Sequence, residues 1–448
     1  MHLFHYRSGS LHAEDVDLAR PAEEFGTPLY IYSTNTILDH FRRLDQALGG
    51  LDHLICYAVK ANSNGAILRL LADASAGFDI VSGGELFRVL KAGGDAAKCT
   101  FAGVGKSREE IEYALDQGVY SFNVESEAEL EYIDRIAAGK GLRAPVAVRV
   151  NPDVEAATHK YVSTGKQENK FGIALDRVSS VYDRAAKLRN IDIVGVQMHI
   201  GSQITTAEPF ADAIRKTLPI VSDLRKRHGI KFFSIGGGLG IVYESSVASG
   251  SSDWWRQHRS PEDRHSLTIQ EYADAIVPPL RDLGLRILLE PGRFLVGNAG
   301  VLLTRVRYIK SASGRIRGGE QTGSKTFAIV DAGMNDLIRP ALYQSYHEIV
   351  PVRDPGTITS TSTSCKIDIV GPVCESGDFF AIDREMPELH AGDLLAIMSA
   401  GAYGFVMASN YNSRPLPAEA LVTGDKFALI RKRQSVEDMV RDEIIPQW

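Results

Sequence analysis

Several residues of this sequence could take part in catalysis, and each stands where an apolar segment ends. Lys60 closes CYAVKAN, and an amine beside apolar residues can have the lowered pKa that Schiff-base chemistry requires. The triplet Gly236-Gly237-Gly238 follows FFSI, and glycines let backbone N–H groups approach a phosphate closely. Each also has an ordinary explanation, since a lysine at a strand end often extends into solvent and a run of glycines often forms only a tight turn.

Further candidates follow later apolar segments. Glu290 in EPGR could pair as a carboxylate with a protonated ring nitrogen, and Arg293 could hold a phosphate or a carboxylate. His199 in MHIGSQ offers a flat ring that could stack on a cofactor, although an isolated histidine is more often a core residue. Cys374 in GPVCESGD would ordinarily be a small buried hydrophobe. None of these segments is specific alone, so the interpretation depends on all of them together.

Two nucleotide-binding motifs are excluded by single residues. A GxGxxG fingerprint starting at Gly236 would need a glycine where Ile241 stands. A P-loop ending in Gly105-Lys106 would need a glycine where Thr100 stands. The segment AGVGKS is therefore predicted to be a strand end followed by a helix cap.

The elements that would position these residues are short apolar strands alternating with amphipathic helices from about residue 53. The predicted strands are HLICYAV, FDIV, CTFAGV, YSFNVE, APVAVRV, IDIVGVQMHI, FFSIGG and RILLEPG. Continuous apolar strands between helices indicate parallel pairing with both faces buried. Eight such units predict a (β/α)8 TIM-like barrel, and the spread of the candidate residues over many strand ends favours it over a doubly wound sheet.

The part of the chain after residue 295 has a different pattern. Segments such as VLLTRVRYIKS, TFAIVDAG, KIDIVG and LLAIMSAG are separated by Gly, Pro, Ser and Thr, which predicts an antiparallel β domain. PLYIYS near residue 30 is predicted to be one more strand of it. The predicted domains are a barrel at 36–295 and a β domain made of 1–35 and 296–448, with exposed loops at 242–266 and 353–364.

Composition excludes several classes of protein. A length of 448 residues exceeds one ordinary core and predicts two domains. The net charge is -6 and no run of basic residues occurs, so the chain offers no basic surface for nucleic acid. The N-terminus lacks the apolar stretch of a secretory signal, and no apolar run is long enough to span a membrane. The four cysteines show no CxxC spacing. We therefore expect a soluble cytoplasmic protein with no nucleic-acid or membrane partner, and no metal site is predicted.

Taken together, the motifs resemble the group IV, alanine-racemase-like decarboxylases that use pyridoxal 5'-phosphate (PLP), and in particular the members that act on diaminopimelate. The resemblance runs through TPLYIY, YAVKAN, FDIVSGGEL, NPDV, THKYVSTGKQENKFGI, HIGSQI, GGGLGI, EPGR, DAGMNDLIRPALY, GPVCESGD and GAYGFVMASNYNSRP. It implies a PLP-binding barrel plus a β domain, a homodimer with active sites shared across the interface, and decarboxylation of meso-2,6-diaminopimelate to L-lysine.

The same resemblance implies a role for each matching residue. Lys60 would carry PLP as a Schiff base, and Cys374 would donate a proton to the substrate carbon. The cofactor-binding residues would be Lys60, His199, Ser202, Gly237, Gly238, Glu290, Pro291, Gly292, Arg293 and Tyr403. The substrate-binding residues would be Arg293, Arg339, Tyr343, Glu375 and Tyr403.

Three other functions remain as alternatives. A sister decarboxylase would act on ornithine, lysine, arginine or a carboxylated polyamine, whose cationic ends need an anionic pocket. The residues Arg293, Arg339 and Glu375 instead supply both signs. An alanine racemase relative would place an arginine where Glu290 stands. A non-catalytic PLP-binding homologue would lack the lysine or the acid, and both are present in this sequence. Two departures from the family pattern are Gln197-Met198 and a longer 242–266 loop.

Overall fold

The computed structural model describes residues 1–154, 171–258, 266–312, 316–317, 320–321, 325–354 and 364–448. These divide into two compact units. The barrel unit consists of Leu38–Ile241 and Ser260–Leu295, and the β unit of Met1–Ile37, Val242–Arg259 and Val296–Trp448. The motif at 158–173 and the predicted loops at 242–266 and 353–364 lie partly outside the described residues. The predicted domain boundaries stay a prediction, but the segment 242–258 groups with the β unit.

The strands fall into three groups along the chain. Those before the barrel are β1 (Phe4–Arg7), β2 (Ser10–Ala13), β3 (Val16–Asp17) and β4 (Leu29–Ser33). Those of the barrel unit are β5 (His53–Ala58), β6 (Gly77–Ile80), β7 (Cys99–Phe101), β8 (Ser121–Val124), β9 (Ala144–Asn151), β10 (Ile173–Ala174), β11 (Ile191–Met198), β12 (Phe232–Ser234) and β13 (Arg286–Leu289). The later ones are β14 (Gly300–Ala312), β15 (Ile316–Arg317), β16 (Glu320–Gln321), β17 (Lys325–Val330), β18 (Ile349–Pro351), β19 (Ser364–Val370), β20 (Phe379–Pro387), β21 (Leu394–Ile397), β22 (Ala418–Thr423) and β23 (Lys426–Arg431).

The helices are mostly short. They are α1 (Ala19–Phe25), α2 (Thr34–Ala47), α3 (Gly65–Asp73), α4 (Gly83–Lys91), α5 (Arg108–Gln117), α6 (Glu127–Lys140), α7 (Leu175–Ala185), α8 (Glu208–His228), α9 (Ser246–Ser249), α10 (Ser252–Gln257), α11 (Ile269–Leu280), α12 (Arg293–Val296), α13 (Arg339–Tyr343) and α14 (Val436–Val440). Within the described ranges, none of them has the length and apolar character needed to cross a membrane.

Eight parallel strands of the described barrel unit close on themselves. Their order is β5-β6-β7-β8-β9-β11-β12-β13, and β13 pairs with β5 to complete the circle. All eight coincide with the predicted strands, so the predicted barrel is confirmed. Strands β6, β7 and β8 are buried along their whole length. These strands lie in nearly continuous apolar runs of the sequence because both of their faces are buried.

Close packing in the barrel interior depends on a small residue. Phe232 packs with Cys56, Ala147 and Leu288 in one buried cluster. A Cβ at Gly195 would collide with the Phe232 ring. Removing that ring would cost roughly 3–5 kcal/mol of stability, the usual effect of truncating a buried aromatic side chain.

The β unit contains a mixed sheet. The order is β20-β19-β17-β14-β4-β22-β23, and β21 pairs with both β14 and β18. Strand β4, predicted from PLYIYS, pairs antiparallel with β14 but parallel with β22. The β17–β19 pair is also parallel, and the remaining pairs of this sheet are antiparallel. The predicted antiparallel character therefore holds for most pairs. The two exceptions join strands separated by long connections, which parallel pairing requires.

Candidate active site

Lys60 lies in a 3₁₀ turn, Val59–Ala61, directly after β5. Its Nζ is 2.6 Å from Oδ2 of Asp79 in β6, and the Asp79 side chain is fully buried. The other oxygen of Asp79 has no hydrogen-bond partner in the described part of the chain. A buried carboxylate needs a cation or a hydrogen-bond donor nearby, so this pair fixes the amine at the carboxyl end of the barrel strands.

Glu290 follows β13 and is held by two donors. Ser234 Oγ donates to Oε1 at 2.6 Å, and Gln197 Nε2 donates to Oε2 at 2.9 Å. Burial and the charge of Asp79 raise the pKa of Glu290 to about 7, against the opposing effects of Ser234, Lys60 and Gln197. Because both oxygens accept hydrogen bonds, a nearby positive charge would shift this carboxyl fully to its anionic form.

His199 lies just beyond β11 as a neutral ring. Burial lowers its pKa well below the usual range, and the charges of Arg149 and Lys60 lower it further. The backbone N–H of Gly237 points to Nδ1 at 3.3 Å, so Nδ1 accepts and Nε2 carries the proton. A flat uncharged ring suits stacking on the face of an aromatic cofactor.

The glycine-rich turn after β12 has no room for side chains. A Cβ at Gly237 would collide with the carbonyl oxygen of Glu290. Gly238 has φ of +113°, and a Cβ there would collide with the carbonyl oxygen of Gly201. This turn therefore requires glycine at both positions, and glycine is also the residue that lets backbone N–H groups approach a phosphate closely.

The segment from Glu290 to Arg293 packs against the turn that carries Lys60. The carbonyl of Pro291 accepts a hydrogen bond from the Ala58 N–H at 3.0 Å. A Cβ at Gly292 would lie 3.0 Å from the Cβ of Ala61. Arg293 Nη2 donates to Ser202 Oγ at 3.1 Å. The predicted cofactor residues of the barrel unit thus lie together.

These residues match the chemical groups of PLP. Lys60 supplies an amine for the aldehyde, and Glu290 supplies a carboxylate for the ring nitrogen. His199 offers a flat neutral face, and the glycine turn at Gly238 would hold the phosphate. The described residues contain no cluster of His, Cys, Asp and Glu that could hold a metal ion. The site fits PLP.

The other predicted residues belong to the β unit. Arg339 and Tyr343 lie on α13, and the Arg339 side chain is buried. Cys374 and Glu375 are exposed in the turn after β19. The Cys374 N–H donates to Asn412 Oδ1 at 2.9 Å. The Tyr411 hydroxyl donates to Glu375 Oε2 at 2.7 Å.

Tyr403 follows β21 in a turn and has φ of +55°. A bulky residue rarely adopts this left-handed conformation, which costs on the order of 1–3 kcal/mol. Such strain concentrates at functional sites, which is consistent with the predicted contact between Tyr403 and the cofactor. Of the predicted site residues, those from Lys60 to Arg293 belong to the barrel unit, and those from Arg339 to Tyr403 belong to the β unit.

Several residues of the site were not predicted from sequence. Asp79 and Ser234 are polar residues inside otherwise apolar strand segments, and that pattern was the available signal. Gln197 departs from the family pattern, and no role was predicted for it. Tyr411 and Asn412, which hold the Cys374-Glu375 turn, lie in the segment GAYGFVMASNYNSRP that carries the resemblance, but no role was predicted for either.

A closed parallel barrel with a lysine, a glycine-rich turn and a carboxylate at the strand ends defines a PLP-binding barrel. The family described as pyridoxal-dependent decarboxylase, pyridoxal binding domain, matches residues 34–297. The diaminopimelate decarboxylase of Pseudomonas aeruginosa is 49% identical over 449 residues, which is 100% of both chains. That of Vibrio cholerae is 45% identical over 452 residues, again 100% of both.

Solved structures give the same result. The diaminopimelate decarboxylase of Helicobacter pylori in complex with L-lysine has a TM-score of 0.84 and 40% identity, covering 95% of this chain and 98% of that one. The chain belongs to the diaminopimelate decarboxylase family. It is therefore an enzyme whose cofactor is PLP, which confirms the predicted family, fold class and cofactor. The roles of individual residues stay a prediction.

Proposed function

We propose that this chain converts meso-2,6-diaminopimelate to L-lysine and CO2, the last step of bacterial lysine biosynthesis. The observation that carries the proposal is identity along the full chain, 49% over 449 residues, to a curated diaminopimelate decarboxylase. Two related structures, from Helicobacter pylori and M. jannaschii, are complexes with L-lysine, the expected product. The residues around Lys60 and Glu290 include the groups that the reaction needs.

The barrel residues prepare the reacting centre. PLP, when bound, supplies an electron sink for the electron pair left by departing CO2. Lys60 Nζ would hold the cofactor, and Asp79 provides the counter-charge for that amine. The anionic carboxyl of Glu290 would keep a proton on the ring nitrogen and so deepen the sink. Ser234 and Gln197 orient that carboxyl through their hydrogen bonds.

The β-unit residues would act on the substrate. The Sγ of Cys374 would deliver the proton that replaces CO2 on the carbon. Arg339 and Tyr343, with Arg293 of the barrel unit, would bind the distal carboxylate, and Glu375 would bind the distal ammonium. Tyr403 would contact both cofactor and substrate. Charges of both signs suit a zwitterionic far end, and this favours diaminopimelate over substrates that end in an amine alone.

The substrate assignment is tested by comparing substrates directly. CO2 release should be measured from meso-diaminopimelate, L-lysine and L-ornithine at equal enzyme concentration. We expect kcat/KM for diaminopimelate to exceed the other two by at least about 100-fold, because a site built for polar groups strongly rejects a substrate that lacks them. A preference for ornithine would refute the substrate while leaving the fold and the cofactor intact.

We further propose that the active enzyme is a homodimer whose sites are shared. Lys60 belongs to the barrel unit, whereas Cys374 belongs to the β unit and is exposed in this chain. In a two-fold dimer, each site would take Lys60 from one copy and Cys374 from the other. A cytoplasmic location is proposed with it, since all four cysteines are free and the cytoplasm keeps thiols reduced.

Mixing two inactive variants tests the shared site. A Lys60→Ala chain should be inactive, and a Cys374→Ala chain strongly impaired. Equal mixing and reassembly should give half heterodimers, each with one intact site. Activity should recover to about a quarter of wild type by random two-fold pairing. If mixing gives no gain over the Cys374→Ala parent, with subunit exchange verified by mass, the shared site is refuted.

A further inference from the structure

The guanidinium of Arg339 is held by side chains from two other parts of the β unit. Its Nη1 donates to the hydroxyl of Tyr243 at 2.8 Å and lies 3.2 Å from Nε2 of His347. The Arg339 Cζ also lies 5.1 Å from the centre of the Tyr243 ring, which adds a cation–π contact. A longer contact, 3.4 Å, joins Nη2 to Ser345 Oγ. The plane of the guanidinium is therefore fixed.

His347 is suited to accept from Arg339 because its other nitrogen is committed. The ring is fully buried, and Nδ1 lies 2.8 Å from the carbonyl oxygen of Met398. A carbonyl can only accept, so Nδ1 carries the proton and Nε2 presents a lone pair to Arg339. The Tyr243 ring meets the His347 ring edge-on at 5.2 Å. The Tyr243 hydroxyl and His347 Nε2 thus accept the two hydrogens of Nη1, and their rings pack against each other.

Tyr243 arrives on the segment 242–258, for which the sequence predicted no role. Asn298 Nδ2 donates to the carbonyl of Val242 at 3.0 Å and to Ser399 Oγ at 2.8 Å. These contacts fix the backbone immediately before Tyr243 and keep its hydroxyl in place. The segment is therefore an ordered part of the β unit that begins beside the proposed substrate-binding arginine.

We propose that Tyr243 and His347 are positioning residues that fix Arg339 for the distal carboxylate of the substrate. This rests on the proposed function, which assigns that carboxylate to Arg339. A guanidinium binds a carboxylate through a planar fork, so holding its plane in advance reduces the ordering cost of binding. The 242–258 segment thereby sets selectivity for ligands that carry this carboxylate.

The test uses two ligands that differ by one carboxylate. L-lysine is the product and keeps the distal carboxylate of diaminopimelate, whereas cadaverine lacks it. Tyr243→Phe removes one hydroxyl and retains the ring. We expect KM for diaminopimelate and the inhibition constant of L-lysine to rise about tenfold, the usual effect of losing a hydrogen bond to a charged group. The inhibition constant of cadaverine and kcat should change less than about twofold.

Four further variants complete the design. His347→Gln keeps an acceptor in reach of Arg339 and should be closer to wild type than His347→Leu. Arg339→Ala should strongly reduce the preference for L-lysine over cadaverine. Tyr6→Phe is the matched control, because the Tyr6 hydroxyl donates to a backbone carbonyl, that of Pro351, at 2.5 Å in the same unit. It should leave the preference unchanged.

The outcomes separate this proposal from the function on which it rests. If wild-type enzyme neither turns over diaminopimelate nor prefers L-lysine to cadaverine, the proposed function is wrong. Suppose that wild type does both. If Tyr243→Phe then leaves KM for diaminopimelate and the inhibition constant of L-lysine unchanged, or weakens the binding of L-lysine and cadaverine equally, the positioning role is wrong. Should Tyr243→Phe fail to fold, the difference between His347→Gln and His347→Leu decides the question in the same assay.

Discussion

Replacing Lys60 by alanine should reduce turnover by roughly 10³-fold or more, the scale seen when a covalent catalytic group is removed. The visible absorbance of the bound cofactor should disappear with it. The physical reason is that the Lys60 amine would hold the cofactor covalently. This amine is fixed at the end of a barrel strand, 2.6 Å from the buried carboxylate of Asp79. The measurement is CO2 release together with an absorbance spectrum of the purified protein.

A second lysine provides the matched control for this variant. Lys91 is exposed at the end of α4, and its Nζ lies over the ring of Phe87 on the same helix. Lys91→Ala should keep both turnover and absorbance. A Lys60→Ala protein that retained its absorbance and most of its activity would show that the cofactor is attached elsewhere.

Replacing Glu290 by glutamine should lower kcat by at least about 100-fold while PLP still binds. An amide carries no charge to hold a proton on the ring nitrogen, so the cofactor ring would accept the electron pair less readily. Shape is nearly conserved, and Ser234 can still donate to the remaining oxygen. The measurements are kcat and the cofactor content of the purified variant. A loss smaller than about tenfold would contradict the role given to Glu290.

The stability of the cofactor-free protein separates this effect from unfolding. Burial raises the pKa of Glu290 to about 7 from 4.5, so folding disfavours the ionised form. The protonated Glu290 carboxyl therefore stabilises the fold fully below pH 4.5, and this stabilisation is lost as the pH rises through 7. Relative to Glu290→Gln, the cofactor-free wild type should therefore lose up to roughly 3 kcal/mol between about pH 5 and pH 8. Denaturant unfolding at both pH values measures this difference.

The barrel was predictable from the sequence because its strands are buried on both faces. Segments such as FDIV and CTFAGV are nearly all apolar, and β6 and β7 are fully buried in the structure. The two parallel strand pairs of the β unit were not predictable. Strand β4 pairs in parallel with β22, which lies close to the other end of the chain, and no local pattern encodes such a partner.

The site was predictable where a residue stands at a strand end. Lys60, His199 and Glu290 were predicted for that reason, together with the family resemblance. Ser234 was missed although it ends β12, because no motif marks it and its partner Glu290 lies 56 residues away in the sequence. Tyr243 was missed because it opens a segment that the sequence pattern shows only as a polar loop. Such residues become visible only when the fold brings distant positions together.

The proposed reaction depends on the amine of Lys60 carrying the cofactor. Borohydride reduction of the native holoenzyme, followed by proteolysis and mass spectrometry, would show which lysine bears the pyridoxyl group. Lys60 is the expected position, in the peptide that contains YAVKAN. Lys106 is an informative alternative, because its Nζ is buried and donates to Glu129 at 2.7 Å. A pyridoxyl group on Lys106, or on any lysine other than Lys60, would contradict the role proposed for Lys60.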